Sequence, residues 1–421
     1  MPIDVLSEPL RLRRGGVLPN RIAKAAMSEA LGDGECAPTE RLFRLYERLG
    51  KGGAGMLITG NVITDLGGRT EPHNVVITDG RRLEGLKRWA DAAQAHGSKL
   101  WMQVGHAGRQ TARMVTWNPV GPSEVPLQGM AGLFSAPRAL DDAEIRVLIE
   151  RFANAAAQAE AAGFAGMQVH AAHGYLVSQF LSPLSNLRED EWGGTPQKRM
   201  RFLLEIVRAS LAATSEGFGV AVKLNSADFQ RGGFTLEESM GVAQALDAEG
   251  IDYLEISGGN YERPAMVGSK SVERESTRAR EAFFLEYAER MREVVKLPLM
   301  LTGGFRTAGA MVEAIESGAV DIIGLGRPMA LEPDLPKRIL SGEVASAKDV
   351  DVKVGVRLFD DMLQTAWYRR QLERMGDGLE PDASLSAIGT ITANLADLYS
   401  NQIRAAFRRD ATRRITDDSP R

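Results

Sequence analysis

The amino-acid sequence predicts an α/β protein, namely a (β/α)8 TIM barrel followed by a C-terminal helical extension. Two observations carry this prediction: eight short apolar runs recur between residues 21 and 328, and longer amphipathic segments alternate with them. Uninterrupted apolar runs are typical of parallel strands buried on both faces, and eight is the number of strands that closes such a barrel. An open doubly wound sheet is the alternative, but residues 25–34, which follow the first run, contain no G-x-G-x-x-G turn.

The predicted elements can be placed along the chain in order. Strands are expected at residues 21–27, 55–62, 99–106, 166–172, 219–225, 253–259, 298–304 and 321–328. Apolar residues spaced three and four apart predict intervening helices, four of which are expected at residues 39–53, 142–163, 235–250 and 306–318. The last three of these segments end on a glycine, which favours the left-handed turn that closes a helix.

Two long connections and a C-terminal segment complete the predicted architecture. The connections, at residues 107–137 and 260–280, both follow strand ends, where barrel enzymes place their active sites. Residues 1–345 are assigned to the barrel and residues 346–421 to the extension. Within the extension, amphipathic patterns predict helices at residues 356–375 and 392–409, and residues 417–421 are expected to be disordered.

Composition excludes several classes of protein. The 421 residues carry a formal net charge of −4 and no basic stripe, so nucleic acid is not an expected partner. The single cysteine, Cys36, excludes a disulfide framework and a multi-cysteine iron–sulfur or zinc site within one chain. The N-terminus lacks the pattern of a signal peptide, and no apolar run approaches the roughly 18 residues of a membrane span. A cytoplasmic protein without membrane contact is therefore expected.

Polar side chains collect at the carboxyl ends of the predicted strands, which share one face of a barrel. His170 and His173 end the fourth strand, and Tyr175 begins the following loop. Other polar residues at equivalent positions are Ser28, Gln103, His106, Lys223, Asn225 and Arg327. A histidine pair is also compatible with a metal-dependent barrel hydrolase, but a metal needs a third ligand, and Asp228 and Glu255 are isolated candidates. No metal site is predicted.

The loops after the last two strands indicate a phosphate site. Gly303 and Gly304 end the seventh strand, and Gly326 and Arg327 end the eighth. Glycines let backbone N–H groups approach phosphate oxygens, and arginine adds a charged fork. Pyridoxal phosphate and flavin mononucleotide both fit this pattern, because Lys223 could form a Schiff base or face a flavin.

Five motifs resemble the old yellow enzyme family of NAD(P)H:flavin oxidoreductases, in which FMN lies in a (β/α)8 barrel. They are LPNRIAKAAMS, WMQVGHAGRQ, VHAAHGYLVSQFLSPLSNLREDEWGGTPQKRMRF, LTGGF and GLGRP. The similarity extends from about residue 5 to residue 345, and it is closer to the bacterial branch called thermophilic-like than to the yeast type.

The resemblance implies a role for each matching residue. His170 and His173 match the pair that binds the substrate oxygen, and Tyr175 matches the tyrosine that protonates the substrate α-carbon. Cofactor contacts are implied for Ala25, Met27, Ser28, Gly60, Gln103, Lys223, Gly303, Gly304, Gly326 and Arg327. Of these, Ser28 stands where the thermophilic-like branch has cysteine, and Lys223 where the family usually has arginine. Ala30 replaces a tyrosine of that branch.

The implied activity is that of an FMN-dependent ene-reductase. Such an enzyme takes a hydride from NADPH or NADH and reduces an electron-poor alkene, an α,β-unsaturated carbonyl or nitro compound. A related demethylase or desaturase activity is the alternative within the family. A homo-oligomer, a dimer or tetramer, is also expected.

Overall fold

A computed structural model of the chain shows a closed barrel of eight parallel strands, as the sequence predicts. The structure describes residues 3–128, 132–257, 285–350, 357–386 and 389–390. The barrel strands are β1 (Ile22–Lys24), β2 (Met56–Ile58), β3 (Lys99–Gly105), β4 (Gly166–Ala171), β5 (Gly219–Asn225), β6 (Leu254–Ser257), β7 (Leu299–Thr302) and β8 (Ile322–Leu325). Each strand pairs in parallel with the next along the chain, and β8 pairs with β1 to close the barrel.

Helices follow the strands and cover the outside of the barrel. They are α1 (Glu40–Gly50), α2 (Leu83–Gln94), α3 (Asp142–Ala161), α4 (Arg201–Ala212), α5 (Leu236–Glu249) and α6 (Ala308–Glu316). Residues 285–294, between β6 and β7, are also helical, and a short helix, Leu335–Leu340, follows β8.

All four helices predicted from spacing are confirmed, and the residues at their ends explain where they begin and end. Each begins at a residue whose side chain accepts a hydrogen bond from the backbone N–H three positions on: Thr39, Asp141, Thr235 and Thr307. Such caps satisfy backbone donors that the first turn leaves unpaired. Gly163, Gly250 and Gly318 follow three of these helices with positive φ angles of 86°, 76° and 74°.

The amino-terminal end of the barrel is filled by apolar side chains. An antiparallel hairpin, Leu10–Arg11 with Val17–Leu18, covers this end, and Asp252 accepts a hydrogen bond from the Gly15 backbone at 2.8 Å. Trp101 fills the space above the hairpin so closely that a Cβ on Gly219 would lie 2.3 Å from its ring. The side chains predicted for the functional site lie toward the opposite end, where the strands terminate.

The C-terminal extension contributes one long helix, α7 (Arg357–Gly376), which confirms the helix predicted at residues 356–375. It packs on α1, where Arg44 Nε donates to Gly376 O at 2.8 Å and Arg41 pairs with Asp377 at 2.6 Å. The predicted helix at 392–409, the tail at 417–421 and the connection at 260–280 lie outside the described residues. The boundary at residue 345 stays a prediction. No helix within the described ranges is long and apolar enough to cross a membrane.

Candidate active site

Three rings meet where β4 ends. The centroid of His170 lies 5.0 Å from that of His173 and 4.8 Å from that of Tyr175, in edge-to-face geometry. The chain turns sharply here, because His173 and Gly174 both have positive φ, at 61° and 75°. A histidine in this left-handed region is uncommon and is held in place by its surroundings. The backbone N–H of His173 donates to Asn225 Oδ1, at the end of β5, at 3.1 Å.

Both imidazoles are neutral near pH 7. Burial lowers the pKa of His170 well below its usual value, and the nearby His173 and Lys223 lower it further. Burial, followed by the charge of Lys223, lowers the pKa of His173 to about 3. Neutral imidazoles can still donate through one N–H, so this pair offers hydrogen bonds without carrying charge.

Hydrogen bonds orient the two imidazoles. His170 Nδ1 accepts from the backbone N–H of Ala172 at 3.3 Å, which assigns the ring proton to Nε2. His173 Nε2 lies 2.7 Å from the hydroxyl of Ser257, at the end of β6. Ser257 is not among the residues predicted from the sequence, although it lies two residues after Glu255 and thus on the same face of β6.

A continuous hydrogen-bonded chain crosses the barrel interior below the histidines. Lys223 Nζ donates to Glu255 Oε1 at 2.7 Å, and Gln168 Nε2 donates to Glu255 Oε2 at 2.7 Å. Gln103 Nε2 in turn donates to Gln168 Oε1 at 2.7 Å. Gln168 and Glu255 thereby link two residues predicted for the site, Gln103 and Lys223. Neither Gln168 nor Glu255 was predicted as a member of the flavin site. Gln168 could have been found, since it shares the inward face of β4 with His170 two positions on.

The ends of β1, β2 and β8 also converge. A Cβ on Gly60 would lie 2.4 Å from the carbonyl oxygen of Met27, so these two segments pack at a spacing that only glycine permits. A Cβ on Gly326 would lie 3.6 Å from the sulfur of Met27. Ala25 is buried beside them, and its N–H donates to Leu325 O at 2.9 Å.

The two glycine loops lie side by side, because β7 and β8 pair through Thr302 and Gly324. Gly303 and Gly304 have positive φ angles of 129° and 82°, which residues with a Cβ rarely adopt. Arg327 begins a short helix, Arg327–Leu331, and its Nη1 donates to Gln364 Oε1 at 2.9 Å. Gln364 belongs to α7, a contact that no local pattern in the sequence indicates.

The ring of His106, another polar residue that the sequence places at a strand end, is bonded to residues outside this group. His106 Nε2 lies 3.2 Å from Asp65 Oδ2, and its Nδ1 accepts from the N–H of Gly108 at 2.9 Å. Both ring nitrogens are thus used within the protein. The expected convergence of His106 with the other strand-end residues stays a prediction.

Comparison with known proteins identifies the chain. Residues 6–345 match the model of the NADH:flavin oxidoreductase / NADH oxidase family. The chain belongs to this family. Its structural neighbours include an old yellow enzyme homologue from Zymomonas mobilis (TM-score 0.68, 26% identity, 82% of this chain and 95% of that one). Morphinone reductase in complex with tetrahydroNAD gives the same TM-score at 27% identity, over 82% and 92% of the two chains.

The sequence relatives of this old yellow enzyme support the same family assignment. The NADH-dependent flavin oxidoreductase nadA of Aspergillus parasiticus is 35% identical over 396 residues, which cover 89% of this chain and 86% of the relative. The NADPH dehydrogenase of a Geobacillus species is 28% identical over 324 residues, 77% and 90% of the two chains. The flavin oxidoreductase iliE of a Neonectria species is 33% identical over 390 residues, 87% of this chain, but this match spans only 51% of the relative.

The protein is thus an FMN oxidoreductase of the old yellow enzyme type, and the metal-dependent hydrolase considered from the sequence is wrong. Within the described residues, no group of three His, Cys, Asp or Glu side chains could hold a metal. The residues at the barrel mouth fit FMN. The hydroxyl of Ser28 is buried and makes no hydrogen bond to any described residue, as expected of a group that serves a polar ligand edge. The Gly60, Gly303 and Gly304 backbones provide the close approach that a flavin and its phosphate need.

Proposed function

We propose that this enzyme reduces the C=C bond of α,β-unsaturated carbonyl or nitro compounds. The observation that carries the proposal is the grouping of two neutral imidazoles and one phenol at the end of β4, beside the residues that fit FMN. FMN, when bound, supplies a hydride to the substrate β-carbon after taking one from NADH or NADPH. The net reaction adds one hydride and one proton across the double bond.

The histidine pair is assigned to the substrate oxygen. His170 and His173 donate hydrogen bonds to the carbonyl or nitro oxygen and stabilise the negative charge that develops there during hydride addition. Their lowered pKa values support this role, because a neutral donor stays in the same protonation state throughout the neutral pH range. Ser257 holds the His173 ring, so that its other nitrogen, Nδ1, is the one that addresses the substrate.

Tyr175 is assigned to proton delivery. Its ring packs edge-on against His170, at the mouth of the barrel, and only 8% of its surface is exposed. A phenol held beside the oxygen-binding pair can hand its proton to the α-carbon while the β-carbon receives the hydride.

The remaining predicted residues are assigned to the cofactor. Gln103 and Lys223, joined by the hydrogen-bonded chain below the histidines, face the pyrimidine edge of the flavin, and Ser28 donates toward its O4. Ala25, Met27 and Gly60 contact the ring system through their backbones. Gly303, Gly304, Gly326 and Arg327 hold the phosphate.

The Tyr175→Phe variant tests this proposal. Oxidation of the reduced enzyme by an enone should slow about 100-fold or more, since general acid catalysis contributes factors of this size. Flavin reduction by NADH or NADPH, which needs no proton from Tyr175, should keep its rate. Stopped-flow absorbance measures both half-reactions separately, and equal losses in the two would contradict the assignment. A protein that is reduced by a nicotinamide but not reoxidised by any enone or nitroalkene would refute the ene-reductase proposal.

A further inference from the structure

We propose that the C-terminal extension completes the phosphate end of the FMN site, with Gln364 as the residue that positions Arg327 and adds a donor. This inference rests on the placement of the phosphate at the two glycine loops in the proposed function. It assigns a cofactor-binding role to a segment that lies beyond the matched family region, which ends at residue 345.

Two side chains of α7, Gln364 and Tyr368, contact the guanidinium of Arg327. The Nη1 group of Arg327 donates to Gln364 Oε1 at 2.9 Å, and the guanidinium lies over the ring of Tyr368, 5.9 Å from its centroid. Residues four apart lie on the same face of a helix, so one face of α7 holds the guanidinium from two sides. Arg327 directly follows Gly326, at the end of β8.

The helix α7 is itself held in place by buried side chains and hydrogen bonds. Trp367 and Tyr368 are buried, with ring centroids 5.1 Å apart, and Trp367 Nε1 donates to Leu385 O at 3.1 Å. Gln371, one turn further along, is fully buried and exchanges two hydrogen bonds with the backbone of Asp382. A helix anchored in this way can hold a partner side chain in one position.

The contact between Gln364 and Arg327 suits the binding of a phosphate. An arginine binds phosphate best when its planar fork is already oriented, because less side-chain entropy is then lost on binding. Gln364 uses its carbonyl oxygen on Arg327, which leaves the Nε2 group of the same amide as a donor for a phosphate oxygen. A residue that served only to attach the helix would not need to bond to Arg327, the charged side chain that directly follows Gly326.

The test compares two flavins that differ only in the phosphate. The full-length enzyme is loaded with FMN or with riboflavin, and the dissociation constant of each is measured from the fluorescence released on dilution. Gln364→Ala should weaken FMN binding about tenfold, the size of one hydrogen bond to a charged group, and leave riboflavin binding unchanged. Gln364→Glu should weaken FMN binding more, about 100-fold, because its carboxylate pairs with Arg327 and repels the phosphate.

The control variant Thr365→Ala preserves the helix and changes the exposed neighbour of Gln364. It should leave the ratio of the FMN and riboflavin dissociation constants at the wild-type value. A shift of that ratio in Thr365→Ala as large as in Gln364→Ala would overturn the inference.

Arg327→Ala separates this inference from the proposed function. If Arg327→Ala does not reduce the preference for FMN over riboflavin, the phosphate placement made in the proposed function is wrong, and the role of the extension falls with it. If Arg327→Ala reduces the preference but Gln364→Ala and Gln364→Glu do not, only the role of the extension is overturned. Equal weakening of FMN binding and riboflavin binding by Gln364→Ala would show that the residue merely attaches the helix. That result would also overturn the role of the extension.

Discussion

Two buried lysine–glutamate pairs lie in the same barrel wall but on opposite faces of it. Lys223 points into the barrel with Glu255, below the histidines. Lys24 points outward from β1, where its Nζ donates to Tyr46 OH on α1 at 3.2 Å and lies 3.7 Å from Glu29. Each lysine stands in a short apolar run, yet only the inner one faces the proposed cofactor. A buried lysine in a barrel strand therefore does not by itself indicate catalysis.

The outer pair supports the wall of the site without entering it. Glu29 Oε1 accepts from the backbone N–H of Gly60 at 2.9 Å and from the hydroxyl of Tyr46. Burial lowers the pKa of Lys24, and the charge of Glu29 acts against this shift. The outer pair thus fixes the backbone of a predicted flavin contact, whereas the inner pair presents its charge to the site directly.

The largest expected effect is on stability and belongs to the outer pair. Lys24→Met leaves the carboxylate of Glu29 buried without its cation, which should lower the free energy of unfolding by about 3 kcal/mol. Urea denaturation measures this loss. The double variant Lys24→Met/Glu29→Gln removes both charges and should recover part of it. A double variant as unstable as the single one would show that the two side chains are not coupled.

A substitution in the inner pair should change the redox potential of the flavin and not mainly the stability of the fold. Glu255→Gln removes the negative charge that offsets Lys223, so the anionic reduced flavin should gain stability relative to the oxidised form. The midpoint potential should rise by about 30 mV, which corresponds to ~1.4 kcal/mol for a two-electron couple. Spectroelectrochemical titration measures it. Lys24→Met is the matched control, and an equal change of potential in that variant would remove the distinction between the two faces.

The third effect concerns the pH dependence of stability and tests whether His173 is held neutral in the folded state. Because His173 is neutral when folded, with its pKa lowered to about 3, only the unfolded chain binds a proton to it between that value and about pH 6.5. The contribution of His173 to the free energy of unfolding is therefore intact above pH 6.5. It decreases on acidification, by at most about 1.4 kcal/mol per pH unit.

His173→Asn removes this titration and should flatten the pH dependence of the unfolding free energy between about pH 5 and pH 6.5. Urea denaturation at several pH values gives the slope for both proteins. Identical slopes would mean that His173 is not held neutral in the folded state.

The sequence predicted most of the fold, since the signals for it are local. The apolar runs identified all eight strands, and Thr39, Asp141, Thr235 and Thr307 mark helix starts by capping chemistry that needs only three neighbouring residues. The histidine pair and Tyr175 were found in the same way, because they occupy one turn after one strand. Glu255 was noted only as an isolated metal ligand, because its lysine partner is 32 residues away along the chain.

By itself, then, the sequence determined the barrel, the helix ends and the group of rings at β4, because each depends on residues a few positions apart. Only the tertiary structure decided which lysine faces inward, that Ser257 holds His173, and that Gln364 of the extension reaches Arg327. The physical reason is that these contacts follow from barrel closure and from the packing of α7 on α1, which bring together side chains from distant segments.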